Sequence, residues 1–168
     1  MDDNFIYFSI DGRNLKINKE NPDDIFMLKT HSGKYKMKTP RWNQIKVQTN
    51  EKGYKLISIS PKQYKLHRVN YFAHNQDWDI YNSCIKTNSV DHIDIDITNN
   101  NIVNLRVLTN QENCFNRNCK GYYWHKQTQK WCASIYVNYK RKHLGYFILE
   151  EDARQAYLEA KKIYHIID

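Results

Sequence analysis

The sequence predicts an α+β protein: small antiparallel sheets and a β–β–α unit, followed by a three-stranded antiparallel sheet packed on one helix. Three observations predict it. Short runs with period-two alternation recur along the chain, as half-buried strands require. Between Asp91 and Asn113 a strand, an Asn-rich loop, a return strand and a helix start follow one another within 23 residues. Near the C-terminus, Ala153, Ala156, Tyr157, Ala160, Ile163 and Tyr164 recur at helical spacing and form one apolar stripe.

Residues 1–24 are rich in Asn and Asp, and Phe5-Ile6-Tyr7-Phe8 is their only concentrated apolar patch, either an edge strand or a frayed arm. Alternation around Lys34-Tyr35-Lys36-Met37-Lys38 suggests a strand with one basic face, and Lys36 and Lys38 are candidate DNA contacts. Gly53–Ile59 and Tyr64–Val69 read as antiparallel strands joined across Ser60-Pro61-Lys62-Gln63, with a helical stretch from Val69 to Ala73. His67 is read as a structural histidine, the other reading being a group that supports the site or contacts a phosphate. Residues 74–89 form a long loop insertion.

Ser89–Ile93 has the mix of a strand end, and in a regular strand Asp91 and His92 face opposite ways. Both reach one site only if the chain bends there, and Asp94–Asn101 is a loop that lets it, since Asn tolerates left-handed backbone. Leu105–Leu108 is the return strand. Thr109 with Glu112 three residues on is a capping box, so a helix begins near Asn110 with Asn113 in its first turn. Asn104, at the loop's close, pins the loop. Asp91 and Asn113 supply hard oxygen donors suited to a divalent cation, and His92 is the candidate base, since an unperturbed histidine titrates near neutrality. A carboxylate, an imidazole and a carboxamide in this order can build one metal-dependent, phosphodiester-cleaving site.

These residues resemble the HNH, or ββα-metal, endonuclease family. The closest likeness is to the phage and viral homing-type branch, whose motif runs Asp-His-x-Asp, an Asn-rich loop, Asn-Leu-Arg, then Thr and a final Asn. The resemblance implies a ββα-metal nuclease motif with Asp91 and Asn113 binding Mg2+ or Mn2+, His92 as general base and Asn104 as the middle Asn of the catalytic set. Arg106 is a further DNA contact. The family usually has Gly-Asn after Asp-His-x-Asp, whereas this chain has Ile95-Asp96. Glycine reaches positive φ cheaply and a β-branched residue does not, so either the loop takes another path or catalysis is impaired.

Beyond Asn118 the expected strands are Gly121–Lys126, Trp131–Val137 and Lys142–Phe147, followed by a helix from about Glu151 to His165. Acidic residues at the helix start and Lys161, Lys162 and His165 near its end suit the helix dipole. Strand parity turns Tyr122, Trp124, Trp131, Ala133, Ile135 and Val137 toward the helix, and Tyr123, Cys132, Ser134 and Tyr136 outward, with His125 beside Lys126. The opening Gly-aromatic-aromatic-Trp-His-Lys, Lys-Trp-x-Ala-x-Ile and His-Leu-Gly-x-Phe followed by Glu-Glu/Asp-Ala-x-x-Ala-Tyr resemble the ethylene-response-factor (Apetala-type) DNA-binding domain. That likeness implies DNA contacts from Tyr123, His125, Lys126, Ser134, Tyr136, Arg141 and His143. The target sequence does not carry over, because plant members use Arg and Glu where Tyr123, Ser134 and Tyr136 stand here.

The implied organisation is a basic strand-rich region (1–52), a nuclease domain (53–118) and a DNA-binding domain (119–168). Net charge is +8 over 168 residues, and its pattern is more informative than its total. Residues 25–70 hold 11 Lys and Arg against 1 Glu, residues 71–112 hold 2 against 6 acidic groups, and residues 113–149 hold 7 against none. A phosphate-binding surface interrupted by a cation-binding pocket produces such a pattern. The expected partner is double-stranded DNA and the favoured state a monomer. No apolar run has membrane-spanning length and no basic signal-peptide start is present, so a soluble intracellular protein is expected, in host cytoplasm or nucleus if viral. The cysteines Cys84, Cys114, Cys119 and Cys132 lack paired Cys-x-x-Cys knuckles, so structural zinc is not expected.

Overall fold

The computed structural model describes residues 3–82, 88–116 and 119–167. It is an α+β structure of several small antiparallel sheets and few helices, divided into two compact units: residues 1–84 with 90–107, and 85–89 with 108–168. No helix among the described residues is long and apolar enough to cross a membrane.

The first unit opens with a four-stranded meander of β1 (Phe5–Ile10), β2 (Arg13–Asn18), β3 (Ile25–Ser32) and β4 (Tyr35–Gln44), hydrogen-bonded in that order. The Phe5–Phe8 patch is therefore part of an edge strand. Its return follows from Asp11-Gly12, both at positive φ, the two-residue turn whose twist matches the flanking strands. This Asp-Gly signal between alternating runs was available in the sequence. Lys34 lies in the turn of the next hairpin, beside Gly33 at positive φ, and the basic strand begins at Tyr35.

A second sheet holds β5 (Gln48–Thr49), β6 (Lys55–Ile59) and β7 (Lys62–Lys65), and α1 (Leu66–His74) follows at once. Here the sequence reading needs correction, because Leu66–Val69 is helix and not the end of a strand. Leu66, Val69, Asn70 and Ala73 recur at the spacing of one helix face, and all four are buried. Together with Phe8, Ile10, Leu15, Ile17 and Ile25 of the meander and Ile57 and Ile59 of β6, α1 closes one core. That core runs across residue 52. Ile80 joins it from the long loop, where Arg68 donates to the carbonyls of Ile80 and Asn82 and stacks over Trp78. The part of the expected loop insertion at 83–87 lies outside the described residues.

β8 (Ser89–His92) and β9 (Leu105–Leu108) pair as a two-stranded sheet, with a 3₁₀ turn at Ile102–Asn104 before β9 and α2 (Asn110–Phe115) after it. The capping box at Thr109 and Glu112 is present in both directions.

In the second unit β10 (Tyr122–His125), β11 (Lys130–Val137) and β12 (Lys140–Phe147) form an antiparallel sheet, and α3 (Glu150–Tyr164) packs on it. Ile135, Tyr157 and Ala160 are the buried centre, flanked by Tyr122, Val137, Leu144 and Tyr164. Strand parity thus placed Tyr122, Ile135 and Val137 toward the helix as expected, whereas Trp124, expected on that face, stays substantially exposed. Gly121 permits the close approach of sheet and helix, since a Cβ there would lie 2.0 Å from the Tyr157 ring. Cys114 and Cys119 are exposed free thiols and Cys132 a buried one, while Cys84 lies outside the described residues.

Candidate active site

The loop joining β8 to β9 is built from its own polar side chains. The His92 carbonyl accepts from the Ile95 backbone N–H at 3.1 Å, closing a turn immediately after the strand. Asp94 and Asp96 then cap successive turns by accepting from the N–H groups of Asp96 and Thr98. Asn104 closes the loop. Its amide donates to the Asp94 carboxylate and to the Asn99 carbonyl, both at 2.9 Å, and its oxygen accepts from the Asp94 N–H at 3.0 Å. Asn99 donates to the other Asp94 oxygen at 2.7 Å, and these bonds, that from Asn99 foremost, hold the Asp94 carboxyl below its ordinary pKa. Asn104 therefore sits where the sequence put it, pinning the loop.

Ile95 occupies the position at which the nuclease family usually has glycine, and it takes φ +68°. The chain follows a glycine-like path there in spite of its β-branched side chain, a conformation disfavoured for any L residue and most for this class.

His92 is 5% exposed. Its Nε2 lies 3.0 Å from the Asn100 amide oxygen, so in the neutral ring the proton sits on Nε2 and the lone pair on Nδ1. The ring packs edge-on against His67 with centroids 4.8 Å apart, and Tyr54 lies against both. His67 is 4% exposed and its pKa falls to about 3, mainly through burial and further through repulsion from His92, Lys65 and Arg68. It is a neutral structural neighbour of His92, as the sequence reading had it. Asn70, also buried, donates to the Asn100 carbonyl at 2.8 Å and ties α1 to the same loop. Tyr54, Asn70 and Asn100 were not singled out in the sequence. A polar residue on the apolar face of α1 was the available signal for Asn70.

Asp91 sides differently from His92, as strand alternation requires: Val90 and His92 form the buried face of β8. The Asp91 carboxylate accepts from Nε and Nη2 of Arg106, each at 3.3 Å, and its side chain is 10% exposed. Arg106 is thus engaged with the proposed ligand. Asp91, His92, Asn104 and Arg106 belong to the first unit. Asn113 belongs to the second, in α2, where its amide nitrogen donates to Ser89 Oγ at 3.3 Å and its oxygen is the atom suited to a cation.

The outward face of the second unit's sheet gathers most of the residues expected to touch DNA. In register across it stand Tyr123 with Cys132, Ser134 with His143, and Tyr136 with Arg141. Arg141 donates to Ser134 Oγ at 3.0 Å and to the Tyr123 hydroxyl at 2.9 Å, and its guanidinium lies over the Tyr123 ring. His143 covers Cys132, whose sulfur is 3.6 Å from Nδ1, which explains why this outward residue is buried. His125 and Tyr146 continue the cluster, while Lys126 lies in the turn beyond β10. A cavity of about 590 Å³ is lined by Tyr123, Ser134, Tyr136 and Arg141 from this sheet and by Gln111 and Phe115 from α2. Lys36 and Lys38 are exposed on β4.

Comparison of the chain with protein-family models, with curated proteins and with solved structures returns no match.

Proposed function

We propose that this chain is a metal-dependent DNA endonuclease of HNH, or ββα-metal, type that nicks duplex DNA and is directed to its site by an ethylene-response-factor-like module in the second unit. The observation that carries the reading is the loop from His92 to Asn104. There a histidine held in one tautomer by Asn100 begins a turn braced by Asn104 and Asp94, in the residue order that the family resemblance requires. In this reading Asp91 and Asn113 would hold Mg2+ or Mn2+, which would supply positive charge for phosphodiester hydrolysis. Nδ1 of His92 takes the proton of the attacking water, with Asn100 fixing the ring so that the lone pair keeps one direction. Arg106 aims the Asp91 carboxylate, and on release meets a phosphate oxygen. The sheet face bearing Tyr123, Ser134, Tyr136, Arg141 and His143 enters the major groove.

The test is incubation with supercoiled plasmid plus magnesium or manganese. Wild type converts it to open circles and stops when the metal is chelated, while His92→Ala loses about 10²-fold or more in rate with DNA affinity nearly intact. Equal cleavage by the two proteins rejects the base assignment. A second reading, a catalytically silent DNA-binding protein that keeps this fold, is favoured by the ion pair that occupies Asp91. It expects plasmid binding without nicking by wild type under every metal.

A further inference from the structure

The β3–β4 hairpin carries a charge arrangement that the fold itself does not use. Residues 25–49 contain six Lys and Arg and no Asp or Glu. In register across the hairpin, Lys29 faces Arg41 and His31 faces Lys36. The Lys29–Arg41 pair opposes like charges on one sheet, which repel and destabilise it. Among the described residues no carboxylate forms an ion pair with Lys29, Lys36, Lys38 or Arg41, although five such pairs occur elsewhere.

The base of the hairpin is anchored and its outer part is bare. Trp42 is half-buried, packs edge-on against Tyr7 at 5.7 Å, and has the Lys16 ammonium 5.4 Å from its ring centre. Beyond it Arg41, Lys38 and Lys36 are exposed, and Tyr35 at the tip is 81% exposed. Between the Lys29–Arg41 and His31–Lys36 pairs the ladder is irregular, with four residues on β4 against one on β3. A bulged, charged edge resists pairing with another strand, so the occupant is not a second β-edge. Edge protection works with charge of either sign, whereas this run is wholly cationic.

We infer that the β3–β4 hairpin is an arm that binds the phosphate backbone of double-stranded DNA, with Lys36, Lys38 and Arg41 each neutralising phosphate charge. The inference rests on the DNA-binding part of the proposed function and not on cleavage. An arm of this kind adds affinity and position without reading sequence. An anion between the facing cations turns their repulsion into attraction, which gives the arrangement its purpose.

The test is fluorescence anisotropy with a labelled duplex of about 30 base pairs, in chelator so that nothing is cut, across a salt series. The full chain is compared with Lys36→Gln/Lys38→Gln/Arg41→Gln, with Lys36→Arg/Lys38→Arg, and with a charge-matched control, Arg13→Gln/Lys19→Gln/Lys52→Gln, at exposed sites in the same unit. The slope of log affinity against log salt becomes shallower by about 3 in the first variant, at about 0.9 for each phosphate no longer neutralised, and equally for unrelated duplex sequences. The arginine variant keeps the wild-type slope and the control moves less. An unchanged slope in the first variant, an equal change in the control, or no duplex binding by wild type at low salt overturns the arm. Binding through the arm without plasmid nicking overturns the nuclease reading alone.

Discussion

At the scale of single residues, Ile95 shows how local cost and global placement compete. Its φ of +68° brings Cβ against the following carbonyl oxygen, at a cost of roughly 1–2 kcal/mol, and with 54% exposure the side chain recovers little by burial. The surrounding bonds hold it there: the His92 carbonyl accepts its N–H, and Asn104 and Asn99 clamp Asp94 on its N-terminal side. Ile95→Gly removes the clash but gives the unfolded chain about 0.5–1 kcal/mol of extra freedom. The net expectation is a gain of about 0.5–1 kcal/mol, read as a higher urea midpoint with unchanged slope. A midpoint equal to or below wild type means that the isoleucine is not strained. The sequence identified this position as the departure from glycine but could not say which way it resolves, because the answer depends on hydrogen bonds from residues up to ten positions away.

Among the elements, α1 illustrates a boundary that pattern alone misplaced and a burial that follows from the true one. Because the helix starts at Leu66, His67 falls in its first turn, buried against His92 and Tyr54. Its pKa of about 3 lies below the unfolded value near 6.5, so between these limits the unfolded chain binds a proton that the folded chain excludes. Stability from this group is complete above about pH 6.5 and is lost as pH falls toward 3, at roughly 1.4 kcal/mol per pH unit. Denaturation curves at pH 7, 5.5 and 4.5 should show a shallower pH dependence for His67→Gln than for wild type. Parallel curves for the two proteins would place His67 in contact with water. The capping box of α2, the stripe of α3 and the parity of β11 were legible because neighbours within four residues decide them. The β6–β7 hairpin was legible but its end was misplaced, because Tyr64–Val69 alternates well enough to pass for strand, while the helical face is revealed only by what Leu66, Val69 and Ala73 pack against.

For the whole molecule, the two units divide the proposed labour along the charge pattern of the chain. The acidic segment holds the loop with Asp91, Asp94 and Asp96, and the acid-free stretch 113–149 contains the whole of the second unit's sheet. If that sheet reads sequence, removal of residues 119–168 weakens binding to the preferred duplex and flattens the preference among duplexes, while backbone affinity from the basic hairpin persists. Selection from a random-sequence library by both forms measures this. An unaltered preference would move recognition into the first 118 residues. The core of the first unit joins the meander to β6 and α1, so residues 1–52 and the segment that follows share one interior instead of being separate modules.

The amino-acid order by itself determined the α+β class, the antiparallel sheet carried on α3, the cap at Thr109, and the pinning of the loop by Asn104, since each rests on spacing within a short window. Tertiary structure alone decided that Asp91 meets Arg106, that His92 is braced by Asn100 and walled by His67 and Tyr54, and that Ile95 holds a glycine-like backbone. Those outcomes depend on partners brought together across the chain, and a side chain's burial and charge environment exist only once such partners are in place.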